Sequence, residues 1–396
     1  GNGISLMGIS HGVSYVPRTP RYKEHIGKIE LPFKSSFLDY CREYFQEPQM
    51  RKPETEEVGS IEYNAKLWRR NRNEVIIEST QREKKLALYD NKTQPKIMKF
   101  TQFEDQLVVG DDRDNITVFD WNSGKSLSKF SNDNPFGTKI TDIKFMNEDD
   151  LTLLMTGSSD GIVKIYKDIY STESVTTVAA WRGLTEMLLT PRSNGLLMEW
   201  QQSRGSLLAT GDVKIIRIWD AHTETIEVDI PAKTSSLVTS LTSDQVAGNI
   251  LVAGFADGTL RVYDRRIDPR DSMVRRWRSA SNGSQNSWIN NVHLQRGGYR
   301  ELVSGATSGV VELWDLRSQD AVLSFVDENT AQDGAQKKVT TTLTSLQVHE
   351  HAPVIATGTR QVKIWTTSGD LLSSFKNNQS SISNNVANTL AATGIR

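Results

Sequence analysis

The chain has 396 residues, 37% hydrophobic and 24% charged, a globular composition with room for two or three ordinary domains. Its formal net charge of -1 gives the whole chain no strong pull towards nucleic acid or acidic lipid. A single cysteine, Cys41, excludes an intramolecular disulfide framework and suits a reducing compartment, cytosol or nucleus, and no apolar run approaches the ~18 residues of a membrane-spanning helix.

Residues 1–34 read as a flexible linker, with Pro17, Pro20 and Pro32 and no sustained periodicity. The polar start lacks both a signal peptide and an initiator Met, and reads as the beginning of a fragment. Residues 35–83 are expected to hold two helices. Phe37, Tyr40, Cys41, Tyr44 and Phe45 share one apolar face of a short helix capped by Ser35 or Ser36. A long polar helix then opens on Glu54, Glu56 and Glu57 and ends near Arg82. Its narrow apolar stripe includes Trp68, flanked by Arg69, Arg70 and Arg72. This basic stretch is a solvated face on one reading and a docking helix on the other.

From Lys84 the period shortens to two, with a candidate strand over Lys84–Asp90, and a repeat region runs from 84 to 377. Six times an apolar strand ends in a small residue and Gly: Val109-Gly110, Thr156-Gly157, Thr210-Gly211, Ala253-Gly254, Ser304-Gly305 and Thr357-Gly358. A second strand then ends in an aromatic: Phe119, Tyr166, Trp219, Tyr263, Trp314 and Trp365, spaced 47, 53, 44, 51 and 51 residues apart. Four of the six are followed by Asp. This punctuation predicts an all-β WD-repeat β-propeller, with six blades legible at about 96–131, 138–182, 194–231, 236–279, 287–327 and 340–377. Asp114-Asn115, Asp160-Gly161, Asp257-Gly258 and Ser308-Gly309 supply tight turns between second and third strands; blades three and six are expected to be shorter there. Residues 378–396 form an Asn/Ser-rich tail of disordered composition.

No catalytic constellation emerges, so the expectation is a non-enzyme without cofactor or metal. His349 and His351 lack further ligands nearby, and Asp111-Asp112 and Glu148-Asp149-Asp150 read as turn carboxylates. The glycines precede strands, whereas a phosphate cradle needs a following helix. One basic segment stands apart. Arg265, Arg266, Arg270, Arg275, Arg276, Trp277 and Arg278 lie within 14 residues, in what reads as a loop joining blade four to blade five. Such a loop could hold an acidic partner, a phosphopeptide or nucleic acid. The alternative is a solvated or self-paired loop, since Asp264, Asp268 and Asp271 lie among the arginines.

The run from Trp181 to Trp200 (WRGLTEMLLTPRSNGLLMEW), the run from Gly211 to Asp220 (GDVKIIRIWD) and the run from Ala253 to Arg266 (AGFADGTLRVYDRR) resemble the Raptor family of TOR complex 1 subunits. So does the segment from Ser36 to Met50 (SFLDYCREYFQEPQM). The resemblance covers residues from about 35 to 376 and implies a scaffold that presents substrates to TOR kinase in nutrient-responsive growth signalling and autophagy control. It implies protein partners, TOR kinase and other complex subunits or substrates, and neither nucleic acid nor direct membrane insertion. It also implies a cytoplasmic location with recruitment to the vacuolar or lysosomal surface through the complex. The family's substrate-docking site lies in an N-terminal domain that this sequence does not contain, so no site residue carries over. The family's propeller has seven blades, which makes Lys84–Asp90 a candidate outer strand of a seventh. The alternative function is a WD-repeat adaptor of another complex, such as a ubiquitin-ligase substrate receptor.

Overall fold

Among the described residues, each of the six repeats forms one antiparallel four-stranded sheet in chain order. The structure is a computed structural model. It describes residues 93–376, apart from 102–103, 149–150, 186, 188–193, 281–286, 296–300, 328–342, 350–353 and 360. The expected strand Lys84–Asp90, both expected helices and the tail lie outside the described residues.

Blade one is β1 (Pro95–Phe100), β2 (Gln106–Asp111), β3 (Asn115–Asp120) and β4 (Ser126–Ser131). Blade two is β5 (Ile140–Met146), β6 (Leu153–Ser158), β7 (Ile162–Lys167) and β8 (Thr176–Arg182). Blade three is β9 (Leu197–Gln201), β10 (Ser206–Thr210), β11 (Ile215–Asp220) and β12 (Thr225–Pro231). Blade four is β13 (Val238–Ser243), β14 (Ile250–Phe255), β15 (Thr259–Asp264) and β16 (Met273–Arg278), with a 3₁₀ turn at Pro269–Asp271 before β16. Blade five is β17 (Ile289–Leu294), β18 (Glu301–Ala306), β19 (Val310–Asp315) and β20 (Leu323–Val326). Blade six is β21 (Ser345–Val348), β22 (Val354–Gly358), β23 (Gln361–Thr366) and β24 (Leu371–Lys376). The first strands touch in succession, β1 to β5, β9, β13, β17 and β21, so first strands face the centre and fourth strands form the rim.

The turns between second and third strands explain their sequences. In blades one, two, four and five the residue before the third strand has positive φ: Asp114 (62°), Gly161 (85°), Gly258 (82°) and Gly309 (91°). Asp114 takes the place that glycine holds in the others, as Asp tolerates this region better than most residues. Blade six is shorter there, as expected: β22 ends at Gly358 and β23 starts at Gln361. Blade three is not: 211–214 separate β10 from β11, one residue more than in blade two.

The Gly punctuation is a packing requirement between blades. A Cβ on Gly254 would lie 2.5 Å from Ile289 Cγ2, and one on Gly157 would lie 3.1 Å from Leu196 and 3.2 Å from Met198. A Cβ on Gly305 would lie 2.9 Å from Leu346. In each case the missing side chain admits an apolar group that leads into or lies in the next blade's first strand. The resulting cores are shared by neighbours: Ile143, Leu154 and Tyr166 with Val108 and Ile116, for example, or Val303 and Val311 with Leu346 and Ile355. Each such fully buried Leu, Ile or Val contributes about 1.5–3 kcal/mol against its exposed state. No blade encloses these faces alone, so stacking supplies most of the stability.

In five of the six blades the punctuating aromatic clips the blade to the segment before it or to its own second strand; in blade one it is Phe119, which has no polar atom. Tyr166 donates its hydroxyl to Asn132 Oδ1 (2.7 Å), Trp219 its N–H to Gly183 O (3.1 Å) and Tyr263 its hydroxyl to Ala232 O (2.9 Å). Trp314 donates to Ser304 Oγ and Trp365 to Thr357 Oγ1, both at 2.9 Å. Two residues before the aromatic, a charged side chain secures the same connector. Lys164 donates to Asn132 O, and Arg261 to Lys233 O at 2.9 Å. Lys363 pairs with Asp327 at 2.5 Å, with Asp327 fully buried. In blade five the polarity reverses: Glu312 accepts from the Ser279 hydroxyl and the Ala280 N–H.

Candidate docking surface

The basic segment is not the loop that its charge suggests. Met273–Arg278 is β16, the fourth strand of blade four, and only residues after it lead to blade five. Its alternation is plain once the charges are set aside. Trp277 is buried and Arg275 half-buried towards blade five, whereas Val274, Arg276 and Arg278 are exposed. The Trp277 indole stacks on Trp314 with centroids 4.8 Å apart and donates to Ser318 O at 3.1 Å. Trp277 is therefore an interblade anchor.

The six arginines divide into two groups. Arg265 is almost fully enclosed between blades three and four, donating to Gln201 Oε1 (2.6 Å) and Ser206 Oγ (3.2 Å) and pairing with Glu227 (3.0 Å). Burial lowers its pKa, with Glu227 opposing that shift. Arg266 forms a two-pronged pair with Asp264, at 2.9 and 2.7 Å, and this bond holds the Asp264 carboxyl below the usual range. Arg317 and Asp315 repeat the arrangement in blade five. These two arginines are spent on the fold.

The other four have no carboxylate partner among the described residues. Arg275 reaches only Arg317 O (3.4 Å) and Arg278 only Asp257 O (3.1 Å). Arg270, in the 3₁₀ turn, and Arg276 are exposed. Nearby acids are engaged locally: Asp268 accepts the Arg270 backbone N–H, and Asp257 accepts from Thr259. The surface is thus a row of guanidinium donors suited to carboxylate or phosphate. The other sequence-predicted surface, Trp68, Arg69, Arg70 and Arg72, lies outside the described residues.

A second charged region escaped sequence reading because only the sheet register assembles it. One equivalent position in the six first strands, facing Val108, Met155, Leu208, Val252, Val303 and Ala356, carries Lys99, Lys144, Glu199, Thr242, His293 and Gln347. Charge is confined to blades one to three. Lys144 Nζ stands 3.8 Å from Asp142, and Asp142 accepts the Met198 N–H of the next blade at 2.7 Å. Thr242 likewise accepts the Leu294 N–H at 3.0 Å. Burial, reinforced by Lys144, brings Lys99 down to about 8, while nearby carboxylates oppose the shift. Burial also disfavours the Lys144 cation, but Asp142 and Glu199 outweigh it and raise its pKa; burial raises Glu199 against both lysines. This network joins neighbouring blades at the centre.

The remaining candidates have structural roles. Asp111 is buried and accepts the N–H groups of Arg113 and Asn115, both at 2.9 Å. The carbonyl of buried His349 accepts from Gln295 Nε2, whereas His351 and Asp149-Asp150 lie outside the described residues. Among the described residues no cluster of three or more His, Cys, Asp or Glu could hold a metal, and no helix is long and apolar enough to cross a membrane.

Comparison with known proteins places this architecture. The whole chain aligns at 67% identity with the Target of rapamycin complex 1 subunit KOG1 of Saccharomyces cerevisiae, covering 26% of that protein. It is 43% identical, over 92% of its length, to the Target of rapamycin complex 1 subunit mip1 of Schizosaccharomyces pombe, covering 27% of it. The crystal structure of Chaetomium thermophilum Raptor matches 90% of the chain at 40% identity with a TM-score of 0.67, over 30% of that structure's chain. The chain belongs to the Raptor family. It spans about a quarter of the length of these two curated relatives and corresponds to their propeller region. A β-propeller family described as Nucleolar protein 10-like, N-terminal domain, also matches residues 227–395. The segment from Trp181 to Trp200 that carries the family likeness is partly visible. Leu184 is buried in the core between blades two and three, with Met187 packed against it.

Proposed function

We propose that this propeller is a non-enzymatic docking platform of a TOR complex 1 subunit, supporting assembly and the presentation of substrates to TOR kinase. The observation that carries the reading is the 67% identity, along the whole chain, to a protein that is itself a subunit of that complex. The architecture supports it: polar and charged side chains are committed to holding blades together, and the unspent charge lies on a rim. A propeller with such a rim suits binding rather than chemistry. Its place in the cell is then the cytoplasm, with access to the vacuolar or lysosomal surface through partners.

Replacing the propeller in the parent protein, by an unrelated propeller of similar size, separates platform from enzyme. Phosphorylation of protein substrates by the complex should fall, while activity of the kinase towards a short generic peptide should remain. Unchanged phosphorylation of protein substrates would reject the platform role.

A further inference from the structure

Two features of blade four coincide at its outer strand. The first is a strand edge that no strand among the described residues pairs. β16 is the last strand of its sheet. Ser279 donates its N–H to Gly258 O. By the antiparallel alternation that follows, Trp277 and Arg275 turn their backbone groups to β15, and Arg276 and Arg278 turn theirs outwards. Both residues are exposed, and Val274, at a bulge beside them, is 48% exposed.

The second is the unspent charge already described, in which Arg276 and Arg278 lie two residues apart on one face and the 3₁₀ turn carrying Arg270 adjoins β16. A charged outer strand can serve merely to discourage edge-to-edge association. The other rims show how little that requires. β4 carries Lys129, β8 carries Arg182, and β20 carries no charge. In β12 the acids are consumed, Glu227 by Arg265 and Asp229 by Arg217 at 2.9 Å. Three guanidinium groups within four residues of β16 exceed the need for protection.

We propose that this edge of β16 receives an extended acidic segment of a protein partner as an added strand, with its alternate carboxylates on Arg276 and Arg278. Alternate residues of a strand stand about 6.5–7 Å apart on one face, so acids at every second position meet successive arginines while the backbones pair. Arg270 prolongs the positive row, and Val274 offers an apolar contact. The net charge of -1, with Asp268 and Asp271 beside the arginines, favours such a segment over a nucleic-acid backbone. The inference rests on the platform reading and adds the chemistry of one partner.

The test is fluorescence anisotropy with a labelled peptide alternating Glu and Val, titrated with the whole chain. The double substitution Arg276→Glu and Arg278→Glu should weaken binding at least ~10-fold. The same peptide N-methylated at every backbone amide should also lose ~10-fold, because strand addition needs its N–H groups whichever way the added strand runs. Arg266→Glu, which alters charge at a locally paired site, should leave binding within ~2-fold. Equal binding of the N-methylated peptide would overturn strand addition. Unchanged binding by the double variant, its fold verified by its denaturation midpoint, would overturn the site. So would tighter binding of single-stranded RNA or anionic lipid vesicles, lost through the same two substitutions. None of these readings depends on capture of TOR kinase, so the edge site and the platform role fail separately.

Discussion

Trp277, on the outermost strand of blade four, lies on Trp314 of blade five with ring planes 18° from parallel, and so joins the basic rim to the interblade core. Trp277→Ala should cost about 3–5 kcal/mol, through cavity formation and loss of the stack. Trp277→Phe retains a ring but loses the bond to Ser318, and should cost less. Urea denaturation midpoints of the two variants give the comparison. If Trp277→Ala unfolds at the parent's midpoint, the stack contributes nothing.

The buried pair Lys363–Asp327 should behave as a unit, because Thr357 also donates to Asp327 (2.6 Å) and Trp365 donates to Thr357. Asp327→Ala leaves an ammonium group buried without its counter-charge and should destabilise by about 3–5 kcal/mol. Adding Lys363→Met should recover much of that loss. A double-mutant cycle measures the coupling, and additive losses would show that the two charges act independently.

Glu312 offers a pH signature. Burial raises its pKa above 4.5, only partly opposed by its bonds from Ser279 and Ala280. With the folded value above the unfolded one, its stabilising contribution is complete below the unfolded value and is lost as pH rises through the folded value. Glu312→Gln keeps an acceptor oxygen without the charge. Its stability relative to the parent should therefore increase as pH rises from 4.5 and then level off. A stability difference that stays constant across that range would contradict the assignment.

Gly254 and Gly137 separate packing from backbone conformation. An added Cβ at Gly254 meets Ser240 Oγ at 2.3 Å and Ile289 Cγ2 at 2.5 Å; at Gly137, with φ of 88°, it meets nothing within 4 Å. Gly137→Ala should cost about 1 kcal/mol from conformation alone, and Gly254→Ala about 2 kcal/mol or more from the clash. Thermal unfolding of both variants decides, and the reverse order would refute the packing explanation of the Gly punctuation.

Much of this fold was legible because each repeat states its constraints locally. Glycine appears where the next blade presses in, and in five blades the aromatic carries a polar atom to the preceding connector or to its own second strand. The arginine strand was harder to read. Arg275, Arg276 and Arg278 gave Met273–Arg278 the composition of a solvated loop, although Trp277 marked its buried face. The sequence also could not apportion the arginines: Arg265 is consumed by Glu227 on another blade, whereas Arg276 keeps its charge for the surface. Nor could it show the row from Lys99 to Gln347, whose members lie about fifty residues apart and share one register position in six successive sheets.

The central claim, that the propeller belongs to a TOR complex 1 subunit, is tested most directly by capturing the parent protein from cells under native lysis and measuring TOR kinase in the eluate. The account predicts that the kinase co-purifies in near-equal amount. Absence of the kinase from a capture that retains the intact parent protein would contradict it.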